Sequence, residues 1–116
     1  MDRDALVKQL HDICAEYTDI LGRVILFGSF SRNEYDEHSD VDLYIEPRDE
    51  SMTTTVFDMN KRYLSFCKKM YASIPREFDF LAFGGKRDIK RLKKSRLWRQ
   101  IEKDGVVIYD KGAEAV

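Results

Sequence analysis

The sequence predicts a single α/β or α+β domain, residues 1–116, built on a mixed sheet of about four strands. Three observations predict it. Helix-period and strand-period stretches alternate in the order helix, strand, strand, helix, strand, helix, strand. Hydrophobic residues at 43% and charged residues at 35% exclude a disordered chain and suit a small globular one. A chain of 116 residues also has the length of one core, because folding at that size buries roughly two-thirds of the unfolded surface.

Residues 3–20 form the first expected helix, with Leu6, Leu10, Ile13 and Tyr17 recurring every three or four positions and Gly22 stopping it. Val24-Ile25-Leu26-Phe27 is a wholly apolar run, the mark of a strand covered on both faces, and Gly28 ends it. Asp40 to Glu46 alternates strictly, with Val41, Leu43 and Ile45 on one face and Asp40, Asp42, Tyr44 and Glu46 on the other, until Pro47 closes the strand. A long helix is expected over 51–73, its core stripe made by Met52, Val56, Met59, Tyr63, Phe66 and Met70. Pro75 breaks the chain before a third strand, Glu77 to Phe83. Gly84-Gly85 then turns into a basic helix through Lys103 that carries Ile89, Leu92, Leu97 and Ile101 inward. Val106 to Tyr109 is the last strand, and the chain ends soon after it at Gly112 to Val116, leaving little chain for an acceptor pocket.

The formal net charge of -1 gives no general reason to expect nucleic acid or membrane as a partner. The distribution is nevertheless uneven. Residues 32–50 hold eight acids against Arg32 and Arg48, and residues 86–103 hold nine bases against Asp88 and Glu102. Most of these charges read as solvated faces, and the bases of 86–103 sit on several sides with no aromatic interleaving beyond Trp98, which argues against a nucleic-acid binder. No apolar run approaches the ~20 residues of a membrane span, and no basic segment leads into an apolar stretch at the start. Cys14 and Cys67 are the only cysteines and lie far apart in helix-like text, so a reducing cytoplasm is expected rather than a disulfide or zinc scaffold.

The chemistry concentrates in Gly28-Ser29-Phe30-Ser31-Arg32 and in Ser39-Asp40-Val41-Asp42-Leu43. Carboxylates at i and i+2 on a strand share a face with Cα atoms about 6.5–7 Å apart, close enough to converge on a hard divalent cation. A solvated polar face explains Asp-x-Asp equally well when the pair stands alone. Gly28-Ser29 adds to it: a buried strand ending in Gly and Ser offers backbone N–H groups and a hydroxyl to phosphate oxygens. It is not a P-loop, because Gly-x-x-x-x-Gly-Lys-Ser/Thr is absent. Asp79, flanked by Phe78 and Phe80, is a third carboxylate, costly to bury in so apolar a strand unless paired or bound to metal. An edge strand facing water is the alternative.

Gly28-Ser29, ten residues, then Asp40-Val41-Asp42 resembles the signature of the minimal nucleotidyltransferases of the DNA polymerase beta superfamily. Asp79 matches the third carboxylate of that superfamily, and Trp98 to Tyr109 resembles the family's usual ending. The resemblance implies the nucleotidyltransferase fold, a mixed sheet with helices packed mainly on one side. It implies ATP as substrate and two Mg²⁺ ions, with Asp40 and Asp42 as metal ligands and Asp79 on the ion that activates the acceptor hydroxyl. Gly28 and Ser29 are then expected to hold the β- and γ-phosphates, with Arg32 at the triphosphate. Asn33 departs from the family pattern, in which many relatives have glycine after the arginine.

Stand-alone members of this family are often paired with a small helical HEPN-domain toxin, and some adenylylate a tyrosine of it. By resemblance, the chain is expected to be the antitoxin half, transferring AMP to a partner hydroxyl, with the basic helix as one docking face and homo-oligomerisation left open. The alternatives are a non-catalytic nucleotide-binding antitoxin and a nucleotidyltransferase acting on a small molecule. Other side chains carry less. His11 reads as a surface or packing histidine, His38 as a neighbour of the acidic pair, Cys14 and Cys67 as core, and Tyr35 and Tyr44 as residues able to stack on a base.

Overall fold

In the computed structural model, which describes residues 2–114, the elements are α1 (Arg3–Cys14), β1 (Leu21–Phe27), β2 (Val41–Pro47), α2 (Thr54–Asp58), α3 (Lys61–Ser73), β3 (Phe78–Ala82), α4 (Lys86–Leu92), α5 (Arg96–Asp104), β4 (Val106–Asp110) and α6 (Lys111–Glu114). Ala115 and Val116, the end of the expected tail, lie outside the described residues. The strands form one sheet in the order β3-β2-β1-β4. β1 runs antiparallel to β2 and β4, and β2 runs parallel to β3, which is the mixed α+β sheet expected.

The alternation along the strands divides the core. Val24 and Leu26 of β1, Val41, Leu43 and Ile45 of β2 and Ile108 of β4 join Leu6, Leu10, Ile13, Phe66 and Met70 in the larger cluster, against α1 and α3. Ile25 and Tyr44 point the other way, into a smaller cluster with Leu92, Trp98 and Ile101. The helices therefore lie mainly on one side, and the α4–α5 arm covers part of the opposite face. Full burial of each such aliphatic or aromatic side chain contributes about 1.5–3 kcal/mol.

The structure departs from the expected elements at four places. The first helix stops at Cys14, and Tyr17, though buried, sits in the turns that follow. Gly22 does not stop a helix. It lies inside β1, where a Cβ would come within 2.4 Å of the Pro47 carbonyl oxygen, at an irregularity in the β1–β2 register. The helix expected over 51–73 is two helices, because Asn60 caps α3 by accepting from the Arg62 and Tyr63 amides. The break swings the first half of the expected stripe outward: Val56 and Met59 are 56% and 74% exposed, and Phe57 is the buried residue. The basic helix is likewise split, with Ser95 capping α5 through the Trp98 amide at 3.2 Å.

Candidate active site

The candidate residues gather where β1 ends and β2 begins. Phe27 is the register partner of Asp42 across β1–β2, and Asp42 is the register partner of Asp79 across β2–β3. Register partners face the same side of a sheet, so both carboxylates leave the face of the smaller cluster. Asp42 is half-buried and Asp79 exposed. Asp40 falls just before β2 and is exposed, so it belongs to the entry of the strand rather than to the ladder.

The electrostatics tie these groups together. Burial, then the Asp79 and Asp40 carboxylates, push the Asp42 carboxyl up to about 6, and the Arg32 guanidinium opposes them. Among the described residues, no set of three or more His, Cys, Asp or Glu side chains is gathered into a metal-holding cluster. The donor set fits Mg²⁺ in its usual open form, in which one or two carboxylates share the ion with substrate phosphates and water.

The turn after β1 abuts Asp42. Gly28 has φ +76, and a Cβ there would lie 2.1 Å from Oδ2 of Asp42, so only glycine leaves room for that carboxylate. The Ser31 hydroxyl donates to the Gly28 carbonyl at 2.8 Å, and the Glu34 amide donates to the Ser29 carbonyl at 2.9 Å. Phe30, fully buried, anchors the turn and stacks on Tyr35 with ring centroids 4.4 Å apart. Asn33 takes φ 59, the left-handed conformation that asparagine tolerates better than most residues. Its departure from the family pattern is thus compatible with a glycine-like turn. Arg32 is exposed and its Nε donates to Glu34 at 3.2 Å.

Other candidates are placed elsewhere. Tyr44 is fully buried, lies edge-on to Trp98 and donates its hydroxyl to Glu46 at 2.5 Å, so it cannot stack on a base. Tyr35 is already stacked on Phe30 and its hydroxyl accepts from the Arg3 amide. His38 is exposed beside Glu37, and His11 meets the Ile108 carbonyl at 2.9 Å. Burial pushes the Cys14 thiol up to about 12, which keeps it inert. Ser31, inside the marked stretch but given no role there, shapes the turn through the Gly28 carbonyl, and Arg76, which no motif marks, also shapes the site. The one signal for Arg76 is its place three residues before Asp79.

A family model described as "Polymerase beta, Nucleotidyltransferase" matches residues 8–114. A Methanocaldococcus jannaschii protein provisionally assigned as a protein adenylyltransferase is 59% identical over 34 residues, 29% of this chain and 34% of that protein. The chain thus aligns with about a third of that relative's length. Among solved structures, the complex of a tri-AMPylated Shewanella oneidensis HEPN toxin with MNT antitoxin contains a chain of similar fold. Its TM-score is 0.55 at 14% identity, covering 97% of this chain and 76% of that one. A toxin–antitoxin with AMP-PNP is similar at a TM-score of 0.54 and 16% identity, covering 86% of this chain and 73% of that one. At these identities the likeness concerns the fold alone, but the family match runs along nearly the whole chain: the protein belongs to the polymerase beta nucleotidyltransferase family.

Proposed function

We propose that residues 1–116 act as one minimal nucleotidyltransferase domain that moves AMP from ATP to a hydroxyl of a partner protein, a tyrosine of a HEPN toxin, and so serve as an antitoxin. The observation that carries this reading is the register pairing of Asp42 with Asp79 beside the Gly28 turn. The fold shared with the MNT–HEPN complex and the short match to the archaeal relative support the choice of reaction and acceptor.

Asp40, Asp42 and Asp79 are the residues to hold Mg²⁺. When bound, Mg²⁺ neutralises triphosphate charge and lowers the pKa of the acceptor hydroxyl. The chain does the positioning. The bare Cα of Gly28 lets phosphate oxygens approach the turn, where backbone N–H groups and the Ser29 hydroxyl donate to the β- and γ-phosphates. Arg32 adds a positive charge at the outer side of the turn. The acceptor hydroxyl releases its proton to solvent water as its oxygen bonds to the α-phosphorus, the bond from that phosphorus to the bridging oxygen breaks, and pyrophosphate leaves in line. Most of the acceleration comes from holding these groups in place and neutralising charge.

A cytoplasmic location goes with this reading. Its substrate is ATP, and the two cysteines, Cys14 and Cys67, are free thiols. The test is incubation with ATP, Mg²⁺ and a HEPN protein encoded beside this chain, followed by intact-mass spectrometry of that partner. A gain of one or more AMP units, lost in Asp40→Asn, supports the reading. An unmodified partner while a small hydroxyl compound is adenylylated would overturn the acceptor assignment.

A further inference from the structure

Three segments carry the site: the turn 28–33, the loop entering β2 at Asp40, and β3 with Asp79. One side chain touches the first two and belongs to the approach to the third. The Arg76 guanidinium, through Nη1, donates to the carbonyls of Asp36 at 2.7 Å and Ser39 at 3.2 Å. Its Cζ lies 5.1 Å from the centroid of the Phe30 ring, the buried anchor of the turn. Its own amide donates to Ile74 at the end of α3, at 2.8 Å. The next residue, Glu77, accepts from the Val41 amide at 2.9 Å, which starts the β2–β3 ladder.

The loop held by Arg76 has a shape of its own. The Asp36 amide donates to Ser39 Oγ at 2.9 Å, and the His38 amide donates to Asp36 Oδ1 at 2.8 Å. These bonds close the loop on itself but tie it to nothing else. Arg76 supplies an external tether, ending at Ser39, one residue before Asp40. No carboxylate among the described residues forms an ion pair with Arg76, so Nη1 serves the two backbone carbonyls without a competing acid.

We infer that Arg76 is a positioning residue: its guanidinium clamps the 36–39 loop and the Phe30 turn to the start of β3, and so sets Asp40 and the phosphate turn relative to Asp79. This inference rests on the nucleotidyl-transfer reading above for its catalytic consequence, but not for the clamp. Charge-assisted bonds to carbonyls with a cation–π contact are the kind of support that rigidifies a site without touching substrate. A displacement of about 1 Å in such a site costs on the order of 10²-fold in rate.

The test compares wild type with Arg76→Met, which keeps an apolar stem without donors, and with Arg76→Lys, which restores donors without the planar fork. Hydrogen–deuterium exchange of the protein alone reads the clamp directly. In Arg76→Met, amides of 28–41 are expected to exchange about tenfold faster or more, the loss set by charge-assisted hydrogen bonds, while α1 and β4 keep wild-type protection. Arg76→Lys is expected to recover part of that protection. With ATP and Mg²⁺, kcat is expected to fall about 10²-fold in Arg76→Met with a smaller change in the KM for ATP, and Arg76→Lys to lie between.

Unchanged exchange over 28–41 in Arg76→Met would overturn the clamp. Uniformly faster exchange across α1 and β4 in both variants would overturn the positioning role in favour of a global structural one. Faster local exchange together with a wild-type protein that transfers no nucleotide would leave the clamp standing and refute the transfer reading instead.

Discussion

Asp42 and Asp79 stand opposite each other in the parallel β2–β3 ladder, two carboxylates on one face of the sheet although 36 residues separate them in the chain. Burial of Asp42, more than the Asp79 carboxylate beside it, makes its ionised form costly in the folded state. The folded-state pKa of Asp42, about 6, lies above its ordinary value, so the native state holds this proton more tightly than the unfolded chain does.

The first prediction follows from that sign. The contribution of Asp42 to stability is fully present below its unfolded pKa, falls as pH rises from about 4 through about 6, and stays low above that. Asp42→Asn is therefore expected to stabilise the protein in EDTA at pH 8 by about 1 kcal/mol, a shift of about 1.4 kcal/mol per pKa unit being discounted for partial solvent screening. The advantage should vanish at pH 4. Thermal melts of both proteins across that range check it, and an equal difference at both ends would refute it.

Gly28→Ala is expected to harm activity far more than folding. A left-handed backbone costs a non-glycine residue about 1–2 kcal/mol. The new methyl also meets Oδ2 of Asp42 at 2.1 Å, which a rotation of the carboxylate can relieve. That rotation removes Asp42 from its place against the turn. Urea unfolding should show the small loss, and nucleotide transfer should fall on the order of 10²-fold.

Asp79 is exposed, so Asp79→Asn should leave the melting temperature in EDTA close to wild type. With saturating ATP, Mg²⁺ is expected to raise the melting temperature of wild type by mass action beyond ATP with EDTA. Asp79→Asn should lose much of that increment, and its transfer rate should fall on the order of 10²-fold. Full retention of both would remove Asp79 from the site.

The smaller cluster packs on the same face of the sheet as the two carboxylates. Trp98 is 7% exposed, lies edge-on to Tyr44 at 5.4 Å and has the Arg23 guanidinium 5.5 Å from its ring centroid. Trp98→Ala is expected to cost about 3–5 kcal/mol, because the cavity opens between α5 and the sheet. Chemical denaturation measures it. Trp98→Phe should recover much of the loss.

Much of the site was legible in the chain because its signals are local. A glycine after an apolar strand, a serine beside it and Asp-x-Asp at the next strand are matters of neighbouring residues, and the turn at Gly28 lies where those signals put it, whereas Asp40 falls just before β2 instead of on its ladder. Arg76 was not legible, since its partners at Asp36 and Ser39 are 40 and 37 residues away. The stripe from Met52 to Met70 misled for a related reason: it assumed one unbroken helix, and the Asn60 cap restarted the count.

By itself the sequence determined which residues can form strands, where apolar faces alternate and which carboxylates and glycines are available, because these depend on side-chain type and on periods of 2 and 3.6 residues. Only the tertiary structure decided that Asp42 pairs with Asp79, that Gly22 sits against the Pro47 carbonyl and that Tyr44, on a face that reads as polar, is buried under Trp98. Those outcomes depend on strand register and on which helix covers which face. Both are set by packing between distant segments, for which no short stretch of sequence carries the energy.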